Sequence, residues 1–152
     1  MTAATTVVST QREPELLGQT VVVIGGSAGI GLETARRARV EGASVILTGR
    51  NPERLKQAAL DLDARRTAVF DANDLASLHS FFQNLPAQID QVMVTAGAPH
   101  YGPPLEMSSE EARRGLTEHL LLALEVARTP ACRRARGRQG QALRAAAGSG
   151  RP

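Results

Sequence analysis

The chain predicts an α/β protein, a doubly wound parallel sheet with helices on both faces, and three observations carry that expectation. Short apolar runs rich in Val and Ile recur at residues 21–24, 43–48, 66–70 and 88–95, separated by stretches whose Leu and Ala follow helical spacing. The central runs are continuously apolar, as in strands covered from two sides. With 42% hydrophobic but only 3% aromatic residues, the core must be built from Val, Ile, Leu and Ala.

A length of 152 residues is that of one domain, large enough for a real core. The single cysteine, Cys132, excludes an internal disulfide framework and a cysteine-cluster metal site, and fits a reducing, cytoplasmic setting. Neither a signal-peptide pattern nor a run of transmembrane length is present, so no membrane partner is expected. Charge is uneven: all 15 acids lie at or before Glu125, so residues 1–128 carry −3 and residues 129–152, with six arginines, carry +6.

Residues 1–17 read as a polar, loosely held leader, and Gly18 is a turn signal before the first strand. Residues 21–31, VVVIGGSAGIG, then run a β-branched strand through a glycine turn directly into a helix. Backbone without side chains can approach a ligand there, and the free N–H groups and positive end of the helix favour phosphate, which points to a dinucleotide. The spacing Gly25-x-x-x-Gly29-x-Gly31 departs from Gly-x-Gly-x-x-Gly, and glycine also collects in turns for conformational reasons alone. Context has to decide.

The stretch IGGSAGIG followed by a helix resembles the cofactor turn of the short-chain dehydrogenases/reductases, Thr-Gly-x-x-x-Gly-x-Gly, with Ile24 in place of the Thr. The resemblance implies a Rossmann-type sheet of strand order 3-2-1-4, incomplete beside the family's, with the cofactor between strands one and four. It would place Gly25, Gly29 and Gly31 under the pyrophosphate, and Ser27 and Ile30 as backbone or hydroxyl contacts beside it.

The first helix is expected over residues 29–41, with Ile30, Ala35 and Ala38 toward the sheet and Gly42 as a left-handed stop. The second strand, residues 43–48, ends at Gly49-Arg50-Asn51. In the dinucleotide fold an acid here binds the adenine ribose, whereas an arginine accommodates a 2′-phosphate. No acid stands at 48–51 and Arg50 does, which favours NADP and leaves NAD open; the alternative is a solvated arginine opening a loop. Asn51-Pro52-Glu53 starts a helix to about Asp63, with Leu55, Ala58, Ala59 and Leu62 on one face. The third strand, residues 66–70, ends at Asp71, which the resemblance would set against the adenine amine; a turn cap formed with Asn73 and Asp74 is the competing role.

Leu75, Leu78, Phe82 and Leu85 mark the third helix, with His79 on its far side as a surface residue. The fourth strand, residues 88–95, runs into Thr95-Ala96-Gly97, a partial match to the family's Asn-Asn-Ala-Gly. The resemblance implies that Ala96 and Gly97 flank the nicotinamide-side ribose and that Asp90 is structural; an ordinary strand-end turn is the other reading. His100, Tyr101, Pro103 and Pro104 form a loop at the carboxyl edge of the sheet, and Ser108 to Glu111 spell a capping box. The helix from 109 to 128 carries Leu120, Leu121, Leu122, Leu124 and Val126 around most of its circumference, so it needs cover on two sides. His119 falls where the family has a catalytic asparagine.

Residues 129–152 hold almost no large apolar residue and are expected to be disordered. The family places there a serine strand and a Tyr-x-x-x-Lys helix for proton transfer, but this chain has only Tyr101 and Lys56. No substitute catalytic set and no metal-ligand spacing appears. The expectation is therefore a 1–17 leader, an 18–128 NAD(P)-binding part of an oxidoreductase acting on a small carbonyl or alcohol, and a 129–152 tail read out of frame from a truncated coding sequence. The alternative is a non-catalytic dinucleotide sensor or interaction module. Nucleic-acid binding by the arginines is disfavoured, since no aromatics interleave them. The uncovered apolar edge of the fourth strand predicts self-association.

Overall fold

The computed structural model describes residues 15–85, 88–97, 103 and 105–129. Residues 1–14, His100, Tyr101, Pro104, Cys132 and the tail beyond 129 lie outside the described residues, as does the side chain of His119.

Strands β1 (Thr20–Ile24), β2 (Ser44–Gly49), β3 (Arg66–Val69) and β4 (Gln91–Val94) form one parallel sheet in the order β3-β2-β1-β4. Helices α1 (Gly29–Val40), α2 (Pro52–Leu62) and α3 (Leu75–Gln83) connect them in turn. Val22 of β1 pairs with Ile46 of β2 on one side and Val92 of β4 on the other. The period-two alternation of β1 divides the core: Val21 and Val23 pack with Ala35, Ala38, Leu55 and Ala58 of α1 and α2, whereas Val22 and Ile24 pack with Leu78 and Phe82 of α3. Both layers are therefore covered, as the doubly wound class requires. β4 is shorter than the expected 88–95, and among the described strands only β1 pairs with it.

Two side-chain expectations are corrected. Ile30 is 76% exposed, because Gly31, not Ile30, takes the inward position of the first turn of α1, followed by Ala35 and Ala38. In α3, Leu75 is exposed beside the N-cap, and Phe81 is buried as well as Phe82, its ring 5.3 Å from that of Phe70 in a tilted contact and 5.3 Å from that of Phe82 edge-on. Leu16 N–H donates to the Glu41 carbonyl at 3.0 Å, in a Glu15–Gly18 turn that sits against the end of α1. Gly42, φ +85°, makes that seat, since a Cβ there would stand 3.1 Å from Leu17.

Arg39 brackets the α1–α2 layer. Its guanidinium donates to the Leu62 carbonyl at 2.9 Å, the Ala43 carbonyl at 3.1 Å and the Asp63 carboxylate at 3.0 Å. On the other layer the expected long helix is interrupted: α4 (Ser109–Leu116) passes through a π-turn, Thr117–Leu121, into α5 (Leu122–Arg128). The Thr117 hydroxyl donates to the Arg113 carbonyl at 2.8 Å, a back-bond that competes with the helical ladder where the turn widens. The Ser108–Glu111 capping box is formed, and α5 buries Leu122 and Val126 while Leu116, Leu120, Leu121 and Leu124 stay exposed. His79, half exposed, meets Glu125 at 3.3 Å and so links α3 to α5. Among the described residues no helix is long and apolar enough to cross a membrane.

Candidate functional site

The carboxyl ends of β1, β2 and β4 open on a cleft of about 470 Å³, at the switch point where β1 is followed by neighbours on opposite sides. The glycine turn forms its floor, and each glycine is there for a different reason. Gly25 has φ +94°, and a Cβ on it would stand 2.7 Å from the Ala96 nitrogen, so the turn can cross the end of β4 only as glycine. A Cβ on Gly31 would collide with the Gly25 carbonyl oxygen and the Thr95 hydroxyl, which fixes helix against strand. Gly29 has φ +54° and nothing within 4 Å of its Cβ position: it faces open space.

Neighbouring strands hold the turn. Gly26 N–H donates to the Thr48 carbonyl at 2.9 Å, and the Thr95 hydroxyl reaches the Ile24 and Gly25 carbonyls at 3.2 Å each. Gly49 makes room for Ser27, whose hydroxyl would otherwise lie 2.6 Å from a Cβ. Asp90 acts at the opposite end of the sheet, its carboxylate accepting from Thr20 N–H at 2.8 Å and its own N–H donating to the Thr20 carbonyl.

Of the residues singled out from sequence, Gly25, Ser27, Arg50, Asp71, Ala96 and Gly97 come together in the cleft lining; Gly29, Ile30 and Gly31 form the first turn of α1 next to it and do not line it. Arg50 faces Asp71 across the mouth at 3.9 Å, and both are largely exposed. Asp71 also takes the competing role, its Oδ1 accepting from Asn73 N–H at 3.0 Å. Asp74 is the N-cap of α3; hydrogen bonds from the Ser77 hydroxyl and N–H hold its carboxyl below the usual range.

Arg54, Thr95 and Glu118 line the cleft without having been singled out as site residues. Arg54 follows Arg50 by one helical turn's spacing, a signal present in the sequence. Glu118 arrives through the path of α4 and the π-turn, which no local pattern encodes. A second hollow of about 470 Å³ lies along the outer edge between α2 and β3, lined largely by Leu55, Ala59, Leu60 and Val69, away from the strand ends where polar groups converge.

The family model described as short chain dehydrogenase matches residues 19–141. Oxidoreductase asL5 of Sarocladium schorii is 35% identical over 100 residues, which are 63% of this chain and 40% of that protein. The solved structure of a short-chain type dehydrogenase/reductase from Mycobacterium ulcerans aligns with a TM-score of 0.68 at 26% identity, over 78% of this chain and 46% of the other. BdcA, solved in complex with NADPH, aligns with a TM-score of 0.62 at 27% identity, over 75% of this chain and 48% of its own. The chain thus spans less than half the length of these relatives.

Proposed function

Because the chain belongs to the short-chain dehydrogenase family, we propose that its cleft holds the NAD(P) dinucleotide of an oxidoreductase, with NADP(H) favoured. One observation carries this reading. Helices α2, α3 and α4 begin on Asn51, Asp74 and Ser108, whose side chains accept from the first-turn N–H groups, whereas α1 begins on Ala28 with no side-chain cap and no first-turn acid. Its leading N–H groups and positive dipole end are left for an anion.

In this reading the diphosphate rests over the turn from Gly25 to Gly31, with Ser27 and Ile30 beside it. Ala96 and Gly97 flank the ribose on the nicotinamide side, and Asp71 takes the adenine amine. Arg50, with Arg54 a turn further on, supplies positive charge for a 2′-phosphate. The family's reaction on a small carbonyl or alcohol requires a tyrosine and lysine that residues 18–128 do not pair, so this part binds cofactor without turning substrate over by itself. A non-catalytic dinucleotide sensor is the second reading, favoured by the same uncapped helix. The exposed leucines of α4, the π-turn and α5 are the surface through which copies of the chain associate.

NADPH titration followed by nicotinamide fluorescence tests the reading. Gly29→Asn keeps a left-handed backbone accessible while filling the open space, and is expected to weaken NADPH at least about tenfold, as a lost charge-assisted contact would. Arg50→Ala is expected to weaken NADPH more than NADH. Unchanged affinity in Gly29→Asn refutes the proposed site; turnover across a carbonyl panel refutes the absence of catalysis.

A further inference from the structure

The inner face of the last helical stretch runs through Glu111, Gly115 and Glu118, each half-buried, to Leu122 and Val126, both buried, at three- and four-residue spacing. Leu122 and Val126 pack beneath the sheet with Leu78 and Phe82. Glu118, one turn before Leu122, therefore falls where this face leaves the core, and there it lines the cleft with Gly25, Thr95 and Ala96. It sits in the π-turn, a widening that recurs at functional sites.

The other acids on this inner face have work in the fold: Glu111 closes the capping box, and Glu125 pairs with His79 and Arg128, while Glu110 lies outside the face and is exposed. The Glu118 carboxylate makes no hydrogen bond or ion pair with any described residue. A carboxylate drawn partly out of water gains from a donor, and a ligand seated in the cleft can bring one.

Resting on the cofactor reading above, we propose that Glu118 is a positioning residue that accepts hydrogen bonds from the hydroxyls of a ribose in the bound dinucleotide. A carboxylate offers acceptors only, and so does a diphosphate. The two would repel, so Glu118 fits an anion-binding cleft best where it meets donors carried by the same ligand, away from its phosphates. A vicinal diol presents two such donors to the two carboxylate oxygens. The sign of the effect is decisive: simple removal of a negative charge tightens anion binding, whereas loss of a hydroxyl acceptor weakens it.

Calorimetric titration of the full chain and its Glu118→Ala and Glu118→Gln variants with ADP-ribose, ADP and inorganic diphosphate reads this out. ADP-ribose affinity is expected to fall about tenfold in Glu118→Ala and less in Glu118→Gln, with diphosphate affinity unchanged or improved. An unchanged ADP affinity assigns the contact to the distal ribose, whose diol NADP(H) retains, and supports the proposal; an equal fall assigns it to the adenine ribose, which supports the proposal but replaces NADP(H) by NAD(H) as the cofactor, since a 2′-phosphate removes that diol. Unchanged or tighter ADP-ribose binding overturns it, as does a parallel loss of diphosphate binding or a lowered Tm of ligand-free Glu118→Gln, both marks of a structural role. A wild-type chain that binds neither nucleotide overturns the cofactor reading itself, a result distinct from any of these.

Discussion

A Cβ at Gly31 would collide with the Gly25 carbonyl oxygen and the Thr95 hydroxyl, and both obstacles are anchored by the ends of β1 and β4. Neither is the flexible end of a long side chain, so Gly31→Ala is expected to lower stability by about 1–3 kcal/mol, the usual cost of overpacking, measured by urea unfolding without ligand. Gly29→Asn, whose side chain enters open space, is expected to change ligand-free stability by no more than about 0.5 kcal/mol. The glycine spacing was legible in the sequence; this division of labour was not, because a string of letters does not say which absent Cβ points at another backbone. Ile30 shows the same limit. Its apolar character suggested the interior, but the inward position belongs to its neighbour.

Among the elements, strands and caps were the most legible and helix faces the least. The Asn51 and Ser108 caps and the left-handed stop at Gly42 follow from local chemistry that tertiary packing does not override, and the strand order is the one the family resemblance implies. The stripe of α3 loses Leu75 at its start and gains Phe81 beside the expected Phe82, because Phe70 supplies an aromatic partner for Phe81 from outside the helix. The π-turn depends on a Thr117 back-bond that could equally have left the helix regular. Asp74 gives α3 a pH dependence of known sign. Its folded-state pKa is lowered, so its contribution is present at neutral pH and is lost as the pH falls through the acidic range into that lowered value. Melting between pH 6 and pH 3, a range chosen about the ordinary carboxylate pKa, is expected to show a shallower decline in Asp74→Asn, which keeps an acceptor but cannot titrate.

For the whole molecule, the two layers differ in what surrounds them. One is closed by α1 and α2. The other ends in a helical stretch that exposes Leu116 at 67%, Leu120 at 66%, Leu121 at 44% and Leu124 at 41%. Through such a run the proposed association between copies would take place. Sedimentation is expected to show association that weakens in Leu120→Glu, and a monodisperse wild-type monomer would refute it. The architecture was legible because alternating runs and helices leave few ways to connect a parallel sheet. The cleft was legible only where it is built from backbone; its far wall depends on how α4 and α5 return across the strand ends.

The Arg39 bracket has a dynamic consequence. Three bonds from one guanidinium lash the end of α2 to the loop after α1, so those helices can detach only together. Between α3 and α5 the polar tie is a half-exposed histidine and a glutamate. Amide exchange is therefore expected to begin in α5 and α3 and to reach α1 and α2 last, so that the protein opens like a book with one cover glued.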